Sequence, residues 1–270
     1  MTIRGQIGIG KTAIALKAIE YMRERSAFNL FTCVKLFKRP GIDDPNELAR
    51  SMAERIRIRD LLAEQQQVTD CESFVDYLQE IEKRFGRVLL FLDGCDEYVR
   101  ENSPLAPILN EIFHRTSSVY ILMTSVHGFQ SVESFPLESH GQAEKLVSVQ
   151  TLSPTSVMML LWRRSPRPLQ ECFVPPPRDK TDIQTRLLSQ RTIQQLRGHP
   201  AAILRFARHL ADCVLDDSDE MVAKAEEAYV LAQTRPPVLL RDASASTTAG
   251  AIAPAAAVAP APVPQPQVRR

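Results

Sequence analysis

Two uninterrupted apolar runs, Val88–Leu92 and Val119–Thr124, form the strongest pattern in the chain. Neither alternates between apolar and polar residues, as a strand with one face in water would. Both are therefore predicted to be strands that are buried on both faces of a parallel sheet. Phe28–Phe37 is rich in β-branched and aromatic residues and predicts another strand, and Lys145–Gln150 predicts a short last one.

Segments with apolar residues at helical spacing separate these strands. One stripe of such residues predicts a helix from about Phe74 to Phe85, and a second helix is expected between residues 103 and 115. Strands and helices therefore alternate through residues 1–150. This order predicts βαβ units, which build a parallel sheet with helices on both faces.

The alternation ends at Ser153–Pro154, where the pattern becomes helical throughout. A helix that begins there and includes Trp162 is apolar nearly all round, so we expect it to be buried. Three further helices are predicted, at about 181–196, 200–215 and 217–233. Residues 151–233 are thus expected to form a small all-α subdomain. Residues 234–270 are rich in Ala and Pro and are expected to be disordered.

Composition narrows the function classes. A net charge of +1 over 270 residues gives no bulk attraction to nucleic acid or to a membrane. No apolar run approaches the ~18 residues that a membrane span needs. The five cysteines are scattered, with no partner at metal-ligand spacing, which is typical of reduced thiols in a cytoplasmic protein.

A phosphate-binding sequence opens the chain. Gly5–Thr12 matches G-x-x-x-x-G-K-S/T, in which backbone N–H groups wrap phosphates, and a helix is predicted directly after it. We expect Lys11 to reach the β and γ phosphates and the Thr12 hydroxyl to bind Mg²⁺. The nucleotide-binding residues predicted in this segment are Gly5, Gly8, Ile9, Gly10, Lys11, Thr12 and Ala13.

Acidic residues follow the first apolar run. Asp93 ends that run, where ligands collect in parallel sheets, and is expected to hold Mg²⁺ together with Thr12. Asp96 and Glu97 come shortly after it. Carboxylates at this place are candidates to orient or deprotonate an attacking water, so the predicted catalytic residues are Asp93, Asp96 and Glu97.

These segments together resemble the STAND class of signalling P-loop NTPases, which includes the NB-ARC and NACHT families. Gly5–Thr12 resembles their Walker A motif, and Leu89–Glu97 resembles their Walker B motif in the D-G-x-D-E form of NACHT proteins. Val119–Ser125 resembles their sensor strand, and Leu196–Ile203 their G-x-P motif. The resemblance implies that Thr124 lies at the nucleotide and that Pro200 packs near an adenine base.

The resemblance also implies a fold and a role. The expected fold is a three-layer α/β P-loop NTPase followed by a helical subdomain. The expected role is a switch that binds ADP or ATP with Mg²⁺ and signals through self-association or a protein partner, without nucleic acid or membrane. This sequence departs from the family pattern at Val126, where the family has arginine, so hydrolysis is expected to be slow or lost. The short first strand and the missing winged-helix and repeat regions lead us to expect a truncated member.

Two alternatives remain open from the sequence. One is a non-catalytic interaction module that keeps the fold. The other is a metabolic P-loop kinase, which needs an arginine-rich lid, and the nearest basic cluster is Arg163, Arg164 and Arg167. Adenine is favoured over guanine because the chain contains no N-K-x-D guanine-reading sequence.

Overall fold

The computed structural model describes residues 1–36, 42–56, 68–128 and 144–234. Three sequence-based expectations lie wholly or partly outside these residues. They are the end of the second strand at Phe37, most of the loop at 126–145, and the disordered tail, of which only Thr234 is described.

Five parallel strands form one sheet, as the sequence predicts. They are β1 (Thr2–Arg4), β2 (Leu30–Lys35), β3 (Val88–Asp93), β4 (Val119–Ser125) and β5 (Leu146–Ser148). Their order in the sheet is β2-β3-β4-β1-β5. The short strand β1 is central, since Thr2 lies opposite Met123 of β4 on one side and Leu146 of β5 on the other. This order puts the end of β4 between the ends of β1 and β3.

Helices cover both faces of the sheet. The helices that the structure describes here are α1 (Lys11–Glu24), α2 (Pro45–Ile56), α3 (Cys71–Phe85) and α4 (Leu105–Arg115). Successive side chains of a strand point to opposite faces. Accordingly, Leu90 and Leu92 join the large core formed with α2, α3 and α4, whereas Leu89 and Phe91 join the core on the α1 side. Burial on both faces is the reason that β3 has no polar alternation.

The remaining described chain is helical. It contains α5 (Pro154–Arg164), α6 (Lys180–Ser189), α7 (Arg191–Gln195), α8 (Pro200–Phe206) and α9 (Asp219–Thr234), with 3₁₀ turns at Leu169–Cys172 and Ala207–Ala211. Two predicted helices are divided differently from expectation. The chain is extended at Gln190, which separates α6 from α7, and the helix that starts at Pro200 becomes a 3₁₀ turn after Phe206.

The expectation that α5 would be buried is wrong for one of its faces. Val157 and Leu161 are buried, but Met159 is 46% exposed and Trp162 is 39% exposed. The helix packs against α6 and α8, which cover only one stripe of it. Met159 and Trp162 line a groove together with Thr181 and Gln184 of α6.

Each part of the chain has its own hydrophobic core. The helical core includes residues from Val157 to Ala232, and the two sheet cores lie within the described residues up to 123. The domain boundary at residues 150 and 151 stays a prediction. No helix in the described ranges is both long enough and apolar enough to cross a membrane.

Candidate nucleotide-binding site

The glycine-rich loop connects β1 to α1 at the carboxyl edge of the sheet. Its first residue, Gly5, donates its N–H to the carbonyl of Ser125 at the end of β4 (3.2 Å). Gly8 and Gly10 have φ of +77° and +99°, in the region that residues with a Cβ avoid. Gly10 stands directly before α1, a helix of 14 residues that begins at Lys11. The predicted strand, loop and helix therefore follow one another.

Lys11 lies inside this loop and is 9% exposed. Its Nζ donates to the carbonyl oxygens of Gly5 (2.8 Å) and Gln6 (3.1 Å). Burial lowers the pKa of Lys11, and the nearby carboxylates of Asp96 and Asp93 oppose that shift. The loop thus surrounds a cation with backbone groups at a helix N-terminus, an arrangement that favours phosphate.

Asp93, the last residue of β3, is the centre of a buried hydroxyl–carboxylate cluster. The carboxylate is 3% exposed, and its Oδ1 accepts hydrogen bonds from the hydroxyls of Thr12 and Thr124, both at 2.7 Å. The Thr124 oxygen also accepts from the N–H of Gly94 (2.9 Å). Carboxylate and hydroxyl oxygens are hard ligands, which suit Mg²⁺. The donor set of Thr12 and Asp93 therefore fits this metal.

The other predicted acids lie on the short turn after Asp93. Asp96 and Glu97 are exposed and belong to a 3₁₀ turn, Asp96–Tyr98. Asp96 Oδ1 accepts the backbone N–H of Val126 at 2.5 Å. Asp96 therefore ties this turn to the chain that leaves β4, and Glu97 is the next residue of the same turn.

The remaining predicted residues lie either at the glycine-rich loop or in the helical part, which is the described chain from α5 to α9. Ile9 is 4% exposed, and its side chain lies beside Gly5, whereas Ala13 is exposed in the first turn of α1. Pro200 is the first residue of α8 and is half-buried. The residues on either side of Pro200 contact the loop: a Cβ on Gly8 would lie 2.8 Å from the Cβ of Ala201 and 2.9 Å from His199.

His199 is a residue of this site that sequence reasoning did not assign. The G-x-P motif directed attention to Pro200 and left the middle position open. The imidazole of His199 is fully buried and is 2.9 Å from the carbonyl of Ile7 in the loop. The available signal in the sequence was a polar residue directly before a helix that starts with proline.

Arg115 and Arg4 lie at opposite edges of the sheet. Arg115 ends α4, at the amino edge of the sheet, where it pairs with Asp76 and Glu111. This is the edge opposite to the glycine-rich loop. Arg4 ends β1 at the carboxyl edge, and its Nε donates to the Ser148 hydroxyl (2.8 Å).

The family of the chain follows from a match that includes the glycine-rich loop and the strands beside it. The model of the NACHT domain family matches residues 1–196 of the chain. The chain belongs to the NACHT domain family. A NACHT domain is a P-loop NTPase module that binds nucleotide with Mg²⁺, which agrees with the loop at Gly5–Thr12 and with the oxygens of Thr12 and Asp93.

Solved structures resemble the NACHT chain at low identity. Drosophila ORC bound to DNA is 14% identical with a TM-score of 0.46, and the match covers 87% of this chain and 54% of that chain. The Aeropyrum pernix ORC1 protein in complex with DNA has 17% identity, a TM-score of 0.47, and coverage of 84% and 58%. C. elegans PCH-2 has 14% identity, a TM-score of 0.44, and coverage of 87% and 60%. The chain spans less than two thirds of each of these. No curated protein matches the sequence.

Proposed function

We propose that this NACHT domain binds ADP and ATP with Mg²⁺ and acts as a nucleotide-dependent switch in which ATP hydrolysis is slow or lost. The observation that carries the proposal is the position of Asp93. Its carboxylate joins Thr12 of the loop to Thr124 of the adjacent strand. Lys11, on the same loop, is held between the carbonyls of Gly5 and Gln6.

Each part of the site has a distinct task under this proposal. Lys11 and the N–H groups of the loop bind the phosphates. Thr12 and Asp93 hold Mg²⁺, which supplies positive charge against the phosphates when bound. Thr124 orients the Asp93 carboxylate through its 2.7 Å hydrogen bond. Pro200, at the start of the helix that contacts the loop, packs near the adenine base.

Slow hydrolysis is proposed because of residue 126. Valine has neither charge nor side-chain donor, and its backbone N–H already donates to Asp96. An arginine that stabilises phosphoryl transfer contributes about 10³ to 10⁵ in rate. Glu97 lies next to Asp96 on the turn and is the proposed general base for the water that attacks ATP in the slow hydrolysis.

The kinase alternative finds less support in the basic cluster of Arg163, Arg164 and Arg167 around the end of α5. Arg167 donates through Nε to the Leu210 carbonyl and through Nη2 to the Cys213 carbonyl, at 2.8 and 2.6 Å. Its guanidinium therefore braces the helical part of the chain. The non-catalytic module remains the second candidate, because Val126 favours it.

One purified sample tests the proposal. The nucleotide that co-purifies with the chain is released by denaturation and identified, and ATP turnover is then measured on the same preparation. We expect bound ADP or ATP, competition by ADP but not by GDP, and turnover far below that of an active NTPase. Equal displacement of ADP by GDP would contradict the adenine assignment. Rapid turnover that is lost in Glu97→Gln would contradict the slow switch.

The cellular setting is part of the same proposal. We place the domain in the cytoplasm, with self-association or a signalling protein as the downstream partner. The division into a nucleotide-binding unit over residues 1–150 and a helical subdomain over 151–233 gives the switch two parts. Nucleotide at the loop would change how these parts contact each other.

A further inference from the structure

The hydrogen bonds of His199 define its tautomer. The Nδ1 atom of His199 accepts the backbone N–H of Ala202 in the first turn of α8 (3.4 Å). A backbone amide can only donate, so Nδ1 carries no proton and the proton of the neutral ring lies on Nε2. Nε2 is 2.9 Å from the carbonyl oxygen of Ile7 and therefore donates to it. One imidazole thus caps a helix and binds the glycine-rich loop.

The orientation of His199 is fixed by its surroundings. The Tyr229 ring of α9 and the imidazole form a T-shaped contact with a centroid distance of 5.8 Å and an interplanar angle of 88°. The guanidinium of Arg197 lies over the same tyrosine ring, 4.8 Å from its centroid. The Tyr229 hydroxyl accepts a hydrogen bond from Gln233 (2.8 Å). The ring that holds His199 is therefore itself held.

The bonded carbonyl belongs to a peptide whose other side is useful for phosphate binding. Ile7 precedes Gly8, and in a trans peptide the C=O of one residue and the N–H of the next point in opposite directions. While Nε2 holds the Ile7 carbonyl toward the helical part, the N–H of Gly8 is turned away from it. Gly8 itself rests against Ala201 and Ala232. The helical part thus sets the direction of a loop N–H.

We propose that His199 is a positioning residue for the nucleotide phosphates. It keeps the Ile7–Gly8 peptide in the orientation that presents the Gly8 N–H as a donor. The helical part thereby controls the affinity of the loop for phosphate through one side chain. This inference rests on the proposed function, because it concerns the affinity of the same site.

Two single variants separate this role from helix capping. His199→Asn keeps an oxygen that can cap α8 but is too short to reach Ile7. His199→Gln places an amide N–H near the position of Nε2, and glutamine is a poorer cap than asparagine. If His199 only capped α8, His199→Asn would bind nucleotide as well as the wild type and His199→Gln would bind it more weakly. The positioning role reverses this order in nucleotide affinity.

Mg-ADP titration by calorimetry on the full chain and both variants tests the order. We expect His199→Asn to bind about two- to twelvefold more weakly than the wild type, the effect of one neutral hydrogen bond, and His199→Gln to bind within about twofold. Hydrogen exchange of the loop amides without nucleotide is measured on the same proteins, and it should rise in His199→Asn only.

The outcomes distinguish the two proposals. If the wild type binds neither Mg-ADP nor Mg-ATP, the proposed function is wrong and the positioning role fails with it. If the wild type binds and His199→Asn binds equally well, only the positioning role is wrong. If loop exchange in His199→Asn equals that of the wild type, the hydrogen bond does not hold the loop, and the inference is overturned whatever the affinity.

Discussion

The Thr12 hydroxyl donates a 2.7 Å hydrogen bond to Oδ1 of Asp93, a residue 81 positions further along the chain. The same oxygen accepts from Thr124. A buried carboxylate needs such donors, because burial without them disfavours its charge. The metal-binding pair predicted from the sequence is therefore in direct contact, and a third side chain from the strand between β1 and β3 holds it in place.

Lys11→Ala and Asp93→Ala are expected to weaken nucleotide binding in different ways. Loss of the Lys11 ammonium should remove about 1.5–3 kcal/mol of charge-assisted bonding to phosphate, or about ten- to 150-fold in affinity, with or without Mg²⁺. Asp93→Ala should weaken binding only when Mg²⁺ is present. Calorimetric titration of ADP in Mg²⁺ and in a chelator distinguishes these results.

Lys17→Ala is the control for the loss of one positive charge from α1. Lys17 is on the same helix, pairs with Glu20 and is 77% exposed, so its loss should leave ADP affinity unchanged. An equal loss of metal-free ADP binding in Asp93→Ala and Lys11→Ala would show that Asp93 does not act through the metal.

Thr124→Val is expected to destabilise the nucleotide-free protein by about 1–3 kcal/mol, because a near-isosteric methyl replaces a buried hydroxyl that has two hydrogen-bond partners. Asp93 would lose one of its two hydroxyl donors, and the N–H of Gly94 would lose its acceptor. Thr124→Ser keeps the hydroxyl and serves as the matched variant. Urea unfolding should give Thr124→Ser a free energy of unfolding close to that of the wild type. Equal free energies for Thr124→Val and Thr124→Ser would contradict a stabilising role of the hydroxyl.

Gly8→Ala should destabilise the protein more than Gly10→Ala. Both positions have positive φ, so both alanines are strained by about 1–2 kcal/mol. A Cβ at Gly10 meets open space, whereas one at Gly8 would lie 2.8 Å from the Cβ of Ala201 and 3.0 Å from the Ala232 carbonyl. Thermal unfolding without nucleotide provides the comparison. A Gly8→Ala melting temperature equal to that of Gly10→Ala would mean that the loop does not press on the helical part.

Acid should destabilise this protein partly through His199. Burial lowers the pKa of His199 below its ordinary value, so the unfolded chain takes up the proton first as the pH falls. Its contribution is complete above the ordinary pKa of about 6.5 and is lost as the pH falls from there toward the lower folded-state value. Protonation would also place an N–H donor of Nδ1 against the Ala202 N–H.

The measurement is the free energy of unfolding at about pH 7 and about pH 5 for the wild type and His199→Gln. All other ionisable groups are the same in both proteins. The difference between the two proteins in how the free energy of unfolding changes with pH therefore isolates the contribution of His199. Tyr229, which packs against the imidazole, and Arg197, which lies over the tyrosine ring, are present in both proteins. The wild type should lose more stability than His199→Gln, and parallel slopes would contradict the assignment.

The local sequence pattern was sufficient to predict the buried strands of the sheet and the glycine-rich loop. Val88–Leu92 could be recognised as a strand because burial on both faces leaves an unbroken apolar run, and that run placed Asp93 at its end. The glycine-rich loop could also be predicted from the sequence. Its positive φ angles and the helix that follows it depend on residues that are adjacent in the chain. The resemblance to NACHT proteins rested on these segments together with the sensor strand and the G-x-P motif, and the family match over residues 1–196 agrees with it.

Tertiary structure alone decided which of these elements meet. Nothing in the local pattern states that β4 lies between β1 and β3, and this order is what brings Thr124 to the Asp93 carboxylate. The exposed side of α5 was likewise invisible, because an apolar residue such as Trp162 is buried only if another element covers it. The contact of His199 with Ile7 spans 192 positions. Sequence periodicity reports how each segment divides between solvent and core, whereas a hydrogen bond between distant segments depends on how those cores pack together.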